Sequence, residues 1–238
     1  NVTIFSIFNK CKIVFHFSDI NISISKAVHA FVMKFDTRFS FIIYRGLDFH
    51  QLDSIKPQDL ALPEDKLIIM TAASLYKWKG IENTLKALRE IPEETREKIL
   101  FVLVGDGEDF ERLKKLSVDL PVLLVGKKSR EETLTFMKRA DIYIHSSLPG
   151  GGLSTSLLEA MYSSCAIIST PHEGADEVID NEKNGILQKD NQFATAIMEL
   201  VHNPDKRSIF ATNARKTVLE KFSWTRSINQ YIQLFENL

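Results

Sequence analysis

Cysteine is scarce in this 238-residue chain: Cys11 and Cys165 are the only two, each inside an apolar stretch. That excludes a cysteine-dense secreted disulfide scaffold and predicts buried, reduced thiols. Charge of one sign is equally short. Thirty Lys and Arg residues face 31 Asp and Glu, for a formal charge of -1, without the basic excess of a dedicated nucleic-acid binder. No apolar run approaches the roughly 20 residues that cross a bilayer. The longest candidate, 12–17, is strand-sized and broken by Lys12 and His16. The six histidines (16, 29, 50, 145, 172 and 202) show no HExxH or paired spacing, so no metal site is expected. His145 ends a predicted strand and His172 lies in the loop after the next one; both are read first as packing or hydrogen-bonding residues. Asn1-Val2-Thr3 and Asn21-Ile22-Ser23 match the glycosylation acceptor pattern and are read as chance matches. The chain also lacks an initiator Met and starts strand-like at Asn1; a piece of a longer protein is expected.

What is present is apolar content of 44 %, enough for one full core and a smaller appendage. From Leu67 onward, short apolar runs alternate with amphipathic stretches. Strands are predicted at 67–73, 99–104, 122–125, 141–145, 166–169 and 186–187. Ile81, Leu85, Leu88 and Ile91 mark a helix between the first two, Phe110, Leu113 and Leu116 a second, and Leu134, Met137 and Ala140 a third. A further helix is predicted through Ser164, and helices again after Gln192. Alternation at this spacing means βαβ units and a doubly wound parallel α/β sheet of about six strands. Such sheets bind ligands beyond the carboxyl ends of the strands, where strand order reverses. Residues 1–60 differ. They read as strand (19–25), helix (26–35) and strand (39–44), followed by a polar linker at 51–65 carrying Pro57 and Pro63. The last helix, from Trp224, places Ile228, Tyr231, Ile232 and Phe235 on one face. Core packing is the general explanation, and contact with a missing domain the alternative.

The strongest local feature is Pro149-Gly150-Gly151-Gly152-Leu153-Ser154-Thr155-Ser156, between a strand and a helix. Glycines let a backbone approach a ligand closely, and the helix start offers unpaired N–H groups and the positive end of its dipole to a phosphate. A flexible turn with an N-cap serine is the plainer reading. Glu159, one turn on, has two acceptor oxygens for the vicinal hydroxyls of a ribose. It equally completes a capping box with Ser156. Lys77 and Lys79 follow the first strand, where a cation would neutralise a diphosphate; a solvated loop explains them as well. Gly105-Asp106-Gly107 fails the dinucleotide fingerprint because Phe110 stands at the third glycine position. Neither a P-loop nor a nucleophile elbow occurs.

In this order and spacing the chain resembles the retaining GT-B glycosyltransferases of the group 1 family. The resemblance runs from about Leu67 to Leu238. It is carried by Ala73 through Gly80, Val104 through Gly107, Ala140-Asp141-Ile142, Leu157 through Met161, Gly174 through Glu177, Asn184-Gly185, and Phe222-Ser223-Trp224. Residues 19–50 resemble the end of the family's acceptor domain, with Gly46-Leu47-Asp48 at the interdomain hinge. The resemblance implies a Rossmann-like donor domain at 61–238 and a remnant of the acceptor domain plus linker at 1–60. It also implies transfer of a sugar from a nucleoside diphosphate with retention. Lys79 and Glu159 are the expected catalytic positions. The donor would be held by Lys77, Lys79, Gly126, Lys127, Gly151, Gly152, Leu153, Ser154, Thr155, Ser156 and Glu159, with the base near 126–128. No cofactor or metal is expected. The expected partners are a nucleotide-sugar donor and a glycan or lipid acceptor, not nucleic acid, with peripheral membrane association through the missing domain and a cytoplasmic location. Two positions depart from the family. Gly151 stands where the first of two paired glutamates would fall, and Ser74 where an arginine is common. A non-catalytic nucleotide-sugar-binding module and a GT-B sugar-nucleotide epimerase remain the alternatives.

Overall fold

The computed structural model describes residues 20–34, 39–56, 60–149, 152–172, 174–189 and 192–237. Cys11, His16, Gly150 and Gly151 lie outside them. Strands β3 (Leu67–Ala72), β4 (Ile99–Val104), β5 (Val122–Gly126), β6 (Ile142–His145), β7 (Ala166–Ser169) and β8 (Ile186–Leu187) form one six-stranded sheet. Every pairing in it is parallel, in the order β5-β4-β3-β6-β7-β8. The strands are apolar on both faces because both faces are covered. On β3, Ile68 and Met70 join one cluster with Leu157, Leu158 and Met161 of helix α7 (Thr155–Tyr162), Met137 of α6 (Arg130–Arg139) and Val218 of α10 (Pro204–Lys221). Ile69 points the other way, to Leu85 and Leu88 of α3 (Ile81–Glu90), Leu113 of α5 (Phe110–Leu116) and Phe193 and Ile197 of α9 (Phe193–His202). Each such fully buried side chain contributes about 1.5–3 kcal/mol of transfer free energy.

Two short helices complete this part, α4 (Glu93–Arg96) and α8 (Ala175–Val178). Cys165 is a free, fully buried thiol, as expected, and burial pushes its pKa up.

A separate two-stranded parallel sheet pairs β1 (Asn21–Ser23) with β2 (Ser40–Ile42), joined through α1 (Lys26–Val32). These elements are shorter than the pattern suggested, and Asp19 and Phe35 lie outside the described residues. The expected linker at 51–65 is corrected at its start: α2 spans Phe49–Ser54, with Asp48 as its N-cap and Leu52 buried in the main core. The core reading of the last helix is also corrected. Helix α11 (Trp224–Glu236) buries no residue, and Trp224, Ile228, Ile232 and Phe235 are 43–62 % exposed. Among the described residues, no helix is long and apolar enough to cross a membrane.

Candidate functional site

Strand order reverses between β3 and β6, which pair over only two residue positions, Ile69 with Ile142 and Met70 with Tyr143. Beyond that pairing the carboxyl ends part, and two cavities open side by side. One, of about 470 Å³, is lined by the ends of β3 and β4, including Ser74 and Gly105-Asp106-Gly107, with Lys127 and Lys128 after β5 and Ser156 and Glu159 of α7. The other, of about 390 Å³, is lined by Trp78, Lys79, His145, Ser146, Ser147 and Ser154-Thr155-Ser156. Ala72, Ala73, Ser74 and Ser156 belong to both walls. Together they make one crevice with Ser156 at its divide.

Helix α7 is left open toward this crevice. Ser25, Asp48, Ser129, Asn203 and Ser223 each accept a backbone N–H of the helix they cap, but Ser154 does not. Its hydroxyl pairs instead with that of Ser156 at 3.0 Å. Among the described residues no side chain therefore caps the first-turn N–H groups of α7, and an uncapped turn has orphan donors to satisfy.

Glu159 is not a cap either, which corrects the capping-box reading. Its Oε1 accepts from both Nε and Nη2 of Arg130, at 3.0 and 2.8 Å. Glu159 is 7 % exposed, and burial raises its pKa, with Arg130 acting in the opposite sense. The capping box lies elsewhere, at Ser129 and Glu132, and sets Arg130 as the first residue of α6.

Lys79 ends a 3₁₀ turn (Lys77–Lys79) stapled to the segment after β6: Ser146 Oγ donates to Lys79 O at 2.8 Å and Leu148 N to Trp78 O at 2.8 Å. Gly80 closes the turn at φ +64, and a Cβ there would lie 2.1 Å from Ser146 O, so only glycine fits. The Lys79 ammonium sits over the Trp78 ring, 3.9 Å from its centroid. Its Nζ also lies 3.4 Å from Ser147 Oγ. The proton order behind that contact follows from Ser169, whose hydroxyl donates to Thr170 O at 2.8 Å. Ser169 Oγ must then accept from His145 Nδ1–H at 3.2 Å, which leaves His145 Nε2 to accept from Ser147 Oγ at 3.4 Å. Burial, and then the charge of Lys79, push His145 down to about 3. A neutral ring thus orients Ser147 with its oxygen toward Lys79.

The structure brings Lys79, Lys127, Ser154, Thr155, Ser156 and Glu159 into the crevice walls. Gly126 adjoins Lys127, with nothing within 4 Å of a Cβ placed on it. Three of the expected donor residues lie outside the lining of the two cavities. Lys77 lines neither cavity, and its charge acts on Asp109 instead. Leu153 is buried against Gly174. Gly152 abuts Val28 and Ile24 of the small sheet unit. Gly151 lies outside the described residues. His145 is the buried, hydrogen-bonded residue it was read as; sequence reasoning gave no role to Arg130 or Ser147, nor to Arg45, whose Nη1 donates to Thr155 Oγ1 at 3.1 Å. The Ser129-x-x-Glu132 pattern was the available signal for Arg130, since a capping box fixes where a helix begins.

A model of the glycosyl transferases group 1 family matches residues 53–217. The chain belongs to that family. An uncharacterised glycosyltransferase of Methanocaldococcus jannaschii is 41 % identical over 238 residues, covering 95 % of this chain and 60 % of the relative. Among solved structures, sucrose-phosphate synthase of Thermosynechococcus elongatus superposes with a TM-score of 0.82 at 22 % identity, over 95 % of this chain and 60 % of that one. Anabaena HepE in complex with UDP and glucose superposes with a TM-score of 0.82 at 18 % identity, over 96 % of this chain and 66 % of that one. These likenesses bear out the expected GT-B fold. The chain spans 60 % of the length of its curated relative.

Proposed function

We propose that this chain binds a nucleoside-diphosphate sugar in the β3–β6 crevice and supplies the donor-binding half of a retaining glycosyltransferase. The observation that carries the reading is the pairing of Glu159 with an uncapped helix start in one crevice, a diol acceptor beside a row of anion donors. The ribose meets Glu159, the base lies along Gly126-Lys127, and the diphosphate meets the first turn of α7 and Lys79. As the bond from the sugar C1 to the diphosphate oxygen breaks, its electron pair passes to that oxygen. Lys79 and the α7 N–H groups stabilise the charge, with no metal required. The acceptor oxygen then bonds C1 on the same face and passes its proton to the departing diphosphate oxygen. The bound UDP and glucose of HepE support this donor class.

In this reading residues 61–238 are the donor domain and 1–60 the end of an acceptor-side domain. A glycan or lipid acceptor is held mainly by that other domain, through which the enzyme meets a membrane surface, in the cytoplasm. A second reading is favoured by Ser74, which lines both cavities where the family commonly has arginine, and by Gly151: a module that binds nucleotide sugars without turning them over.

Calorimetric titration with UDP, GDP and ADP and their sugars tests the proposal. At least one nucleotide should bind, and Glu159→Ala should weaken it at least about tenfold through loss of charge-assisted bonds to the diol. No binding, or unchanged binding in the variant, removes the donor-site reading. Donor that is bound but neither hydrolysed nor transferred by a protein carrying both domains favours the module.

A further inference from the structure

Arg130 lines neither cavity, yet it makes the only contacts to Glu159 from a charged group among the described residues. The geometry is one-sided. Nε and Nη2 both donate to Oε1, and no described group donates to Oε2. The third arm of the guanidinium is held as well: Nη1 donates at 2.6 Å to Gln51 Oε1 on α2, from outside the six-stranded sheet and its helices.

A carboxylate this buried is costly without a partner. A partner that took both oxygens would leave a ligand only their remaining lone pairs to share. Arg130 satisfies Oε1 and leaves Oε2 without a described donor, on a residue that lines the cavity. We propose that Arg130 is a positioning residue for ribose recognition, gripping Oε1 so that Glu159 offers Oε2 to the 2′- and 3′-hydroxyls, with Gln51 holding Arg130 in place. This rests on the donor site proposed above. Gln51 precedes β3 while Arg130 and Glu159 follow it, so this chain of contacts links α2 to the main sheet's helices.

The test pairs the tightest of UDP, GDP and ADP with its 2′,3′-dideoxy counterpart, titrated into the same chain. Wild type prefers the ribonucleotide, and Glu159→Gln erases the preference. Arg130→Ala should lose about tenfold or more in affinity for the ribonucleotide and leave the dideoxy form unchanged. Arg130→Lys, which keeps charge but not the two-pronged grip, should recover part of the loss. In a Glu159→Gln background Arg130→Ala should add nothing. Arg130→Gln replaces the alanine variant if the latter does not fold.

Equal loss for both nucleotides would make Arg130 a phosphate or base contact, and tighter ribonucleotide binding would make it a competitor. Either result overturns the proposal, as does a ribose preference that the Arg130 variants leave intact. Absence of any ribose preference in wild type overturns the role of Glu159 and this inference with it, whereas the outcomes above overturn this inference alone.

Discussion

His145 shows how a single side chain ties the crevice to the stability of the fold. Its ring is buried, holds one proton on Nδ1, and resists a second: its pKa sits near 3, against 6.5 for an ordinary histidine. A depressed histidine makes the folded state refuse a proton that the unfolded chain accepts. The stability it contributes is therefore complete above pH 6.5 and drains away as pH falls from there toward 3. Between pH 7 and pH 5 that amounts to about 2 kcal/mol. Gln at position 145 keeps a donor and an acceptor but does not titrate. Urea unfolding of wild type and His145→Gln at the two pH values should show the wild type losing more, by roughly that amount; parallel losses would sink the idea. At this scale the sequence was only half legible. It located Lys79 and Glu159 but left Glu159 divided between cap and ligand, because a cap is a local contact and Arg130 comes from 29 residues away. The ring of His145 reads from sequence as a strand end, and nothing local reveals the hydroxyls of Ser147 and Ser169 on either side of it.

Helices and strands were more legible where they bury a face. The six strands of the main sheet stood out as apolar runs, and α3 by its buried stripe Ile81, Leu85 and Leu88. Helix α2 was missed because Leu52 is its only buried residue, which leaves no stripe to read. Helix α1 poses a different problem, since its N-terminus is closed across the chain. Ser25 accepts from Val28 N, while Glu177 takes Lys26 N at 2.8 Å, Ala27 N at 3.1 Å and the Tyr44 hydroxyl at 2.8 Å. Burial and this carboxylate together hold Tyr44 up to about 12. Glu177 belongs to α8, so it joins the small sheet unit to the loop after β7. Its removal acts like loss of an N-cap and should cost about 1–2 kcal/mol. Hydrogen exchange is the sharper readout: Glu177→Ala should speed the Lys26 and Ala27 amides while those of β3 and β4 stay slow. Unchanged exchange at 26 and 27 would mean the carboxylate contact is incidental.

At the scale of the whole molecule, the parallel sheet followed from the alternation of elements. How the small sheet unit attaches to it did not, because attachment depends on two segments far apart in the chain. Leu47 N donates to Phe222 O at 2.7 Å and Trp224 N to Leu47 O at 2.9 Å, so the passage from β2 to α2 lies directly against the passage from α10 to α11. Ser227 Oγ adds a bond to Tyr44 O at 2.7 Å. The closeness of this crossing rests on Gly46. A Cβ there would lie 2.3 Å from Ser223 O and 2.5 Å from Trp224 N, both backbone atoms that cannot turn aside. Gly46→Ala must therefore push the two passages apart, at a cost of about 1–3 kcal/mol typical of overpacking. The damage should be regional. Leu47 and Phe222 anchor the crossing in the cluster on one face of the main sheet, whereas Gly46 and Trp224 belong to neither cluster, so β3 to β8 should keep their exchange protection while residues 39–46 and 223–231 lose theirs. The variant should also weaken nucleotide binding modestly, because Arg45 reaches Thr155 at the start of α7 from this same passage. Global loss of protection would show that the crossing is integral to the core. Protection unchanged at 39–46 would show that it yields without strain. Regional loss with intact nucleotide binding would confine the crossing to attachment alone.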